Sequence, residues 1–110
     1  MIRLHDNLSS GNGYKVRLLL AQLGIPFERI EHDIDTGETR TSQFLATVNP
    51  NGRVPVLELE DGTMLPESNA IMFYLADGAP FLPEGRLERA QVMRWMFFEQ
   101  YVRNSQNARA

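Results

Sequence analysis

Asn49-Pro50-Asn51-Gly52-Arg53-Val54-Pro55-Val56-Leu57 is the stretch on which the fold turns. Its first four residues are strong turn formers, so a chain reversal is expected there. Val54 to Leu59 then reads as a strand rich in valine and leucine. Asp61-Gly62 is a two-residue hairpin signal, which predicts that Thr63 to Leu65 returns antiparallel. Pro55 has two readings. A proline at a strand start is ordinarily an edge marker or a turn residue. It is otherwise a cis proline, an arrangement kept for tight turns. In the second reading the backbone of Val54 faces solvent, and an extended peptide can pair with it as an added strand.

The residues before this stretch supply a strand, a helix and a strand. Ile2 to His5 reads as the first strand, and Asp6 to Gly13 as a turn cluster rich in small and capping residues. Val16, Leu19, Leu20 and Leu23 recur at helical spacing, predicting a helix over 14–23. Gly24 stands where a left-handed cap belongs, and Pro26 forbids continuation. Phe27 to Ile34 reads as the second strand, Asp35 to Thr41 as a loop, and Ser42 to Val48 as a short helix. A strand, helix and strand in succession favour a right-handed parallel crossover. After the hairpin, a helix is expected over 68–76, closed by Gly78 and Pro80. The fold class is therefore α/β, a mixed sheet flanked by helices. Residues 1–78 form this domain, 79–85 a linker with two prolines and a glycine, and 86–110 a further helix with a polar tail. That helix is expected over 86–102.

Composition narrows the function. The 110 residues carry 11 Lys and Arg against 14 Asp and Glu, and this mild acidity argues against nucleic acid as a partner. The longest apolar run, Ala70 to Ala76, is far below the roughly 20 residues that span a bilayer, so no membrane is expected. No secretory signal opens the chain, and a cytoplasmic protein is the default. With no cysteine, disulfides, thiolate metal sites and CxxC chemistry are excluded. His5 and His32 lie on presumed strands without a carboxylate cluster, a poor metal site, so no metal is expected. Gly11 and Gly13 do not make a dinucleotide fingerprint, because Val16 fills the third glycine position. Glu58 to Asp61 reads as the solvated tip of the hairpin.

Three places can carry chemistry. Ser9-Ser10-Gly11-Asn12-Gly13 precedes a helix whose unsatisfied N–H groups welcome an anion. The plain alternative is that Ser10 or Asn12 caps that helix. Arg53-Val54-Pro55 offers backbone pairing. Pro66-Glu67-Ser68 opens the next helix, either as a cap or as a second anion site with a carboxylate beside it for an ammonium group. One amino acid head group, bearing both charges, satisfies that pair.

In this order, Leu8 to Arg17, Asn49 to Leu57 and Leu65-Pro66-Glu67-Ser68-Asn69-Ala70-Ile71, followed by Tyr74-Leu75, resemble the N-terminal domain of the cytosolic glutathione transferases. The resemblance covers roughly residues 1 to 101. It implies a thioredoxin-like, mixed four-stranded sheet and a serine-type site with glutathione as co-substrate. Ser10 then matches the serine whose hydroxyl bonds the glutathione sulfur, with Ser9 and Asn12 as close competitors. Val54, held by cis Pro55, would pair with the cysteinyl backbone. Glu67 and Ser68 would take the γ-glutamyl ammonium and carboxylate, and Arg53 would either take the glycine carboxylate or stand as a solvated surface charge. Lowering a thiol pKa from about 8.5 by two units needs about 2.7 kcal/mol. A charge-assisted hydrogen bond at a helix N-terminus is of that order.

Residues 86–102 match the first helix of the family's second, all-helical domain, which holds the small electrophilic substrate. Leu87, Ala90, Met93, Phe97 and Tyr101 form an apolar stripe, widened by Val92, Trp95, Met96 and Phe98. The chain stops at Ala110, so the expectation is either a truncated product or a minimal protein. A homodimer that covers the stripe is expected in both cases. Two functions follow: a glutathione-binding, truncated transferase, or a non-catalytic interaction module on the same fold.

Overall fold

The structure, a computed structural model, describes residues 1–80 and 82–106, the last five as helical backbone. Phe81 of the expected linker and residues 107–110 of the polar tail lie outside the described residues. The elements are β1 (Ile2–Asp6), α1 (Gly11–Leu23), β2 (Phe27–Glu31), a 3-10 turn (Glu38–Arg40), α2 (Ser42–Thr47), β3 (Val56–Glu58), β4 (Met64–Pro66), α3 (Ser68–Ala76) and α4 (Arg86–Gln106). The strands form one four-stranded mixed sheet in the order β2-β1-β3-β4, a thioredoxin-like arrangement. β1 and β2 run parallel, while β3 is antiparallel to both β1 and β4.

Packing follows the apolar pattern. Leu4 from β1, Val16 and Leu20 from α1, Leu57 from β3 and Ile71 from α3 are fully buried and form the main core. Burying side chains of this size contributes about 1.5–3 kcal/mol each. A smaller cluster of Leu19, Ala76 and Leu82 lies beside it, and Val92 of α4 packs on its edge.

Several boundaries shift from expectation for local reasons. Helix α1 begins at Gly11, three residues early, because Ser10 caps it by accepting a hydrogen bond from the Gly13 N–H at 3.0 Å. Its end is where the sequence puts it. Gly24 has φ 69°, and Ile25 N–H donates to Leu20 C=O. β3 starts at Val56 rather than Val54, since Pro55 has no N–H to give a ladder. β2 ends at Glu31 instead of running to Ile34, and the expected loop after it contains the 3-10 turn. α4 is longer than expected, reaching Gln106.

Candidate functional site

The register between β3 and β4 builds the site. Val56 lies opposite Pro66, so the residues just before β3 and just after β4 meet at one end of the sheet. Val54 and Pro55, joined by a cis peptide, come from one side, and Glu67 and Ser68 from the other. Asn49 shapes the approach. It is buried, and its side-chain amide donates to the Arg53 carbonyl at 3.1 Å while its Oδ1 accepts from Asn51 N–H. Gly52 has φ 67°, and a Cβ there would stand 3.0 Å from the Thr39 carbonyl, so this turn requires glycine.

Asn12, Asn49, Arg53, Val54, Pro55, Glu67, Ser68 and Gln100 line one shallow cleft of about 20 Å³. Six residues of the sequence-derived site thus converge: Asn12, Arg53, Val54, Pro55, Glu67 and Ser68. Ser10 and Ser9 are not among the lining residues. Ser10 is half-buried at the start of α1 with its oxygen engaged by Gly13, and Ser9 is exposed. Asn12 is nearly fully buried, and among the described residues its Oδ1 accepts no hydrogen bond. A buried acceptor without a donor is costly, about 1–3 kcal/mol, so a donor brought by a ligand would relieve it.

Glu67 is the N-cap of α3 with φ 75°, in the left-handed region, and its side chain does not cap the helix. Such a conformation in a non-glycine residue costs of order 1–3 kcal/mol and tends to cluster where ligands are clamped. It frees the exposed carboxylate from its own helix and leaves it at the cleft. Ser68 beside it is buried.

Gln100 was not among the expected site residues. It comes from α4, and Lys15 of α1 ties that helix down. Lys15 Nζ donates to Asn69 Oδ1 and Glu99 Oε1, both at 2.9 Å. Asn69, adjacent to Ser68, donates its amide to the Met96 carbonyl at 2.8 Å. No sequence signal marks this clamp, because its members are 54 and 84 residues apart.

A second polar group lies away from the cleft. His5 Nε2 donates to Glu58 Oε1 at 2.8 Å, and His5 Nδ1 shares a hydrogen bond with His32 Nε2, 2.9 Å away. Glu58 is therefore the half-buried partner of His5 and not a solvated hairpin tip. Burial pushes the His32 imidazole below the ordinary histidine range, and the neighbouring His5 adds to that. Glu38, 3.5 Å from His32 Nδ1, opposes it.

Above the cleft an apolar groove of about 680 Å³ runs between α3 and α4, with Phe73, Tyr74, Met93, Met96 and Phe97 on its walls. Among the described residues, no helix is long and apolar enough to cross a membrane.

The model of the glutathione S-transferase N-terminal domain matches residues 1–77. A glutathione S-transferase from Pseudomonas fluorescens is 51% identical, with a TM-score of 0.91 over 97% of this chain and 53% of its own. A glutathione transferase homologue from Sulfitobacter, solved with bound glutathione, is 31% identical with a TM-score of 0.79, covering 89% of this chain and 48% of its own. Among curated proteins, protein URE2 of Candida albicans is 36% identical over 107 residues, 87% of this chain and 30% of that protein. The chain spans about half the length of these solved structures and less than a third of that curated relative.

Proposed function

The chain belongs to the glutathione S-transferase family through its N-terminal domain, and from that premise we propose that its cleft binds glutathione as the thiol co-substrate of a transferase. The observation that carries this is the meeting of Asn12, Arg53, Val54, Pro55, Glu67 and Ser68 in one cleft. Val54 lies two residues before the β3 ladder, where its backbone can pair with an extended tripeptide. Glu67 would hold the γ-glutamyl ammonium and Ser68 the adjoining carboxylate. Arg53, exposed on the rim, would take the glycine carboxylate. The orphaned Asn12 Oδ1 supports the fit, since a tripeptide brings several N–H donors.

Ser10 has two jobs in this reading. Its oxygen accepts from Gly13 N–H, which leaves the hydroxyl hydrogen available for donation to the glutathione sulfur. Together with the start of α1 it would favour the thiolate. In a two-domain member of the family that thiolate would attack a small electrophile held by the helical domain, whose first helix α4 would match. Residues 1–78 would form the glutathione-binding unit and 79–85 the linker, in a cytoplasmic protein where glutathione is plentiful. The exposed apolar side of α4 and the groove beside it support a homodimer.

A second reading, a binding module without turnover, is favoured by one observation: Ser10 serves as an ordinary helix cap and does not line the cleft. Titration calorimetry with glutathione, followed by conjugation of a generic aryl halide, separates the two. Saturable heat is expected from the unaltered chain, and none would end the proposal. In Ser10→Ala, conjugation should fall about tenfold or more while binding changes little, the loss expected for one hydrogen bond to a charged sulfur. Equal conjugation in both proteins would move the sulfur contact to Asn12 or Ser9. Binding with no conjugation in either supports the module.

A further inference from the structure

We infer that α4 completes the cleft, with the Gln100 side-chain amide, oriented by Lys15, donating to the carboxylate at the γ-glutamyl end of the bound tripeptide. This deepens the glutathione-binding reading above and rests on it. The inference begins with the chemistry of lysine. An ammonium group donates three hydrogen bonds and accepts none. Lys15 Nζ stands 2.9 Å from Asn69 Oδ1 and 3.5 Å from Gln100 Oε1, so both amides turn their oxygens towards it, Asn69 in a short hydrogen bond and Gln100 in a long one. That fixes the position of each amide nitrogen, which is otherwise a matter of choice. The Asn69 nitrogen is used by the Met96 carbonyl. The Gln100 nitrogen is left as a donor on a residue that lines the cleft beside Glu67 and Ser68.

The charge balance of that corner suits an amino acid head group. Glu67 brings a negative charge for the ammonium. The carboxylate needs donors, and Ser68 offers one hydroxyl. Gln100 supplies further N–H groups without a second full charge, and the Lys15 ammonium behind it, already paired with Glu99, serves to orient the amide rather than to add charge. Gln100 is therefore a binding residue, and Lys15 a positioning residue that acts through it. Both Gln100 and the helix that bears it lie beyond residues 1–77.

Calorimetry on the full chain tests this with glutathione and its γ-glutamyl α-carboxamide analogue. Gln100→Met keeps length and volume and removes the amide. Its Kd for glutathione should rise about tenfold, with a clearly smaller rise for the carboxamide, whose carbonyl accepts only an uncharged hydrogen bond. Gln100→Glu should weaken glutathione binding further by facing carboxylate with carboxylate. Lys15→Met should also weaken it, and adding Lys15→Met to Gln100→Met should bring little extra loss, as expected when one residue acts through the other. Unchanged affinity in Gln100→Met overturns the inference while leaving the glutathione site intact. So does an equal loss for both ligands, or full additivity of the two substitutions. Absence of saturable binding in the unaltered chain removes the glutathione site itself, and this inference with it. Gln100→Met sits on a half-buried helix surface and should fold. A circular-dichroism melt matching the unaltered chain confirms that the Kd reports binding.

Discussion

Residues 1–76 and α4 are held by different physics. In the sheet-and-helix body, Leu4, Val16, Leu20, Leu57 and Ile71 are all 0% exposed and come from four separate elements. On α4 the large apolar side chains face outward: Phe97 is 70% exposed and Tyr101 74%. What fastens α4 is mostly polar, namely Lys15 to Glu99 and Gln100, Asn69 to the Met96 carbonyl, and Arg89 near Asp77. Val92 is its main apolar foothold. Hydrophobic burial scales with area and makes the body cohesive by itself. Hydrogen bonds contribute only about 0.5–1.5 kcal/mol net each, so α4 is the weaker attachment. The cleft lies on the seam between the two, with Asn12, Ser68 and Gln100 drawn from both sides.

The largest effect should come from cutting the body. Ile71→Ala removes a fully buried side chain at the centre of the core and should cost about 2–5 kcal/mol, read as a lower urea midpoint with an unchanged slope. Trp95, the single tryptophan, lies on α4, so its fluorescence follows that helix alone while circular dichroism follows α4 and the body together. Under the two-part description, Trp95 should report loosening of α4 at lower urea than the body's transition. Coincident transitions by both probes would show one cooperative unit instead.

The sequence made the body legible and left the seam hidden. Helix α1 was readable because Val16, Leu19 and Leu20 repeat at 3.6 residues and Gly24 takes the left-handed cap that only glycine adopts cheaply. The hairpin was readable from Asp61-Gly62. The start of α1 is hidden in the sequence because Gly11 and Gly13 are poor helix formers. There, close packing overrides propensity: a Cβ on Gly13 would fall on the buried Asp6 carboxylate, which Arg17 and Arg29 hold in place. The cleft residues were found through short local motifs, each beside a turn or a helix start. Gln100, Lys15 and the His5–His32 pair belong to no motif. They meet only because the sheet register and the α4 docking bring distant positions together, and Glu58 looked solvated for the same reason.

A smaller effect should appear with pH, and it should be confined to the body. His32 is held neutral in the folded chain below its ordinary range, so between the folded and unfolded pKa values the unfolded chain binds more protons. Stability from this group is full above the unfolded value of about 6.5 and is lost as pH falls towards the folded one. The groups around it are His5, Glu38 and Glu31, with Glu58 behind His5. One proton gives a slope of at most about 1.4 kcal/mol per pH unit. Urea unfolding at pH 5.5 should therefore show lower stability than at pH 7.5, with a shallower dependence in His32→Gln, whose amide can still hydrogen-bond His5. An identical dependence in the variant would assign the effect to other groups. The Trp95 transition should move less than the circular-dichroism transition, since the partners of His32 come from β1, β2, β3 and the 3-10 turn.

The smallest effect on folding should come from the outward face of α4, and there the readout changes from stability to association. Phe97→Ser alters a residue 70% exposed on the wall of the groove between α3 and α4. Such a site contributes little within one chain, within about 0.5 kcal/mol. A second copy seated on that groove would bury the same ring between two apolar walls, and its loss would then weaken the pair by the transfer energy of a large aromatic group. Sedimentation equilibrium at micromolar concentration should accordingly find dimers of the unaltered chain and a dimer dissociation constant at least tenfold higher for Phe97→Ser. The unfolding midpoint of the unaltered chain should also rise with protein concentration, as mass action requires when the folded form pairs. A monomer at every concentration, with a midpoint independent of concentration, would leave the apolar side of α4 for a different partner.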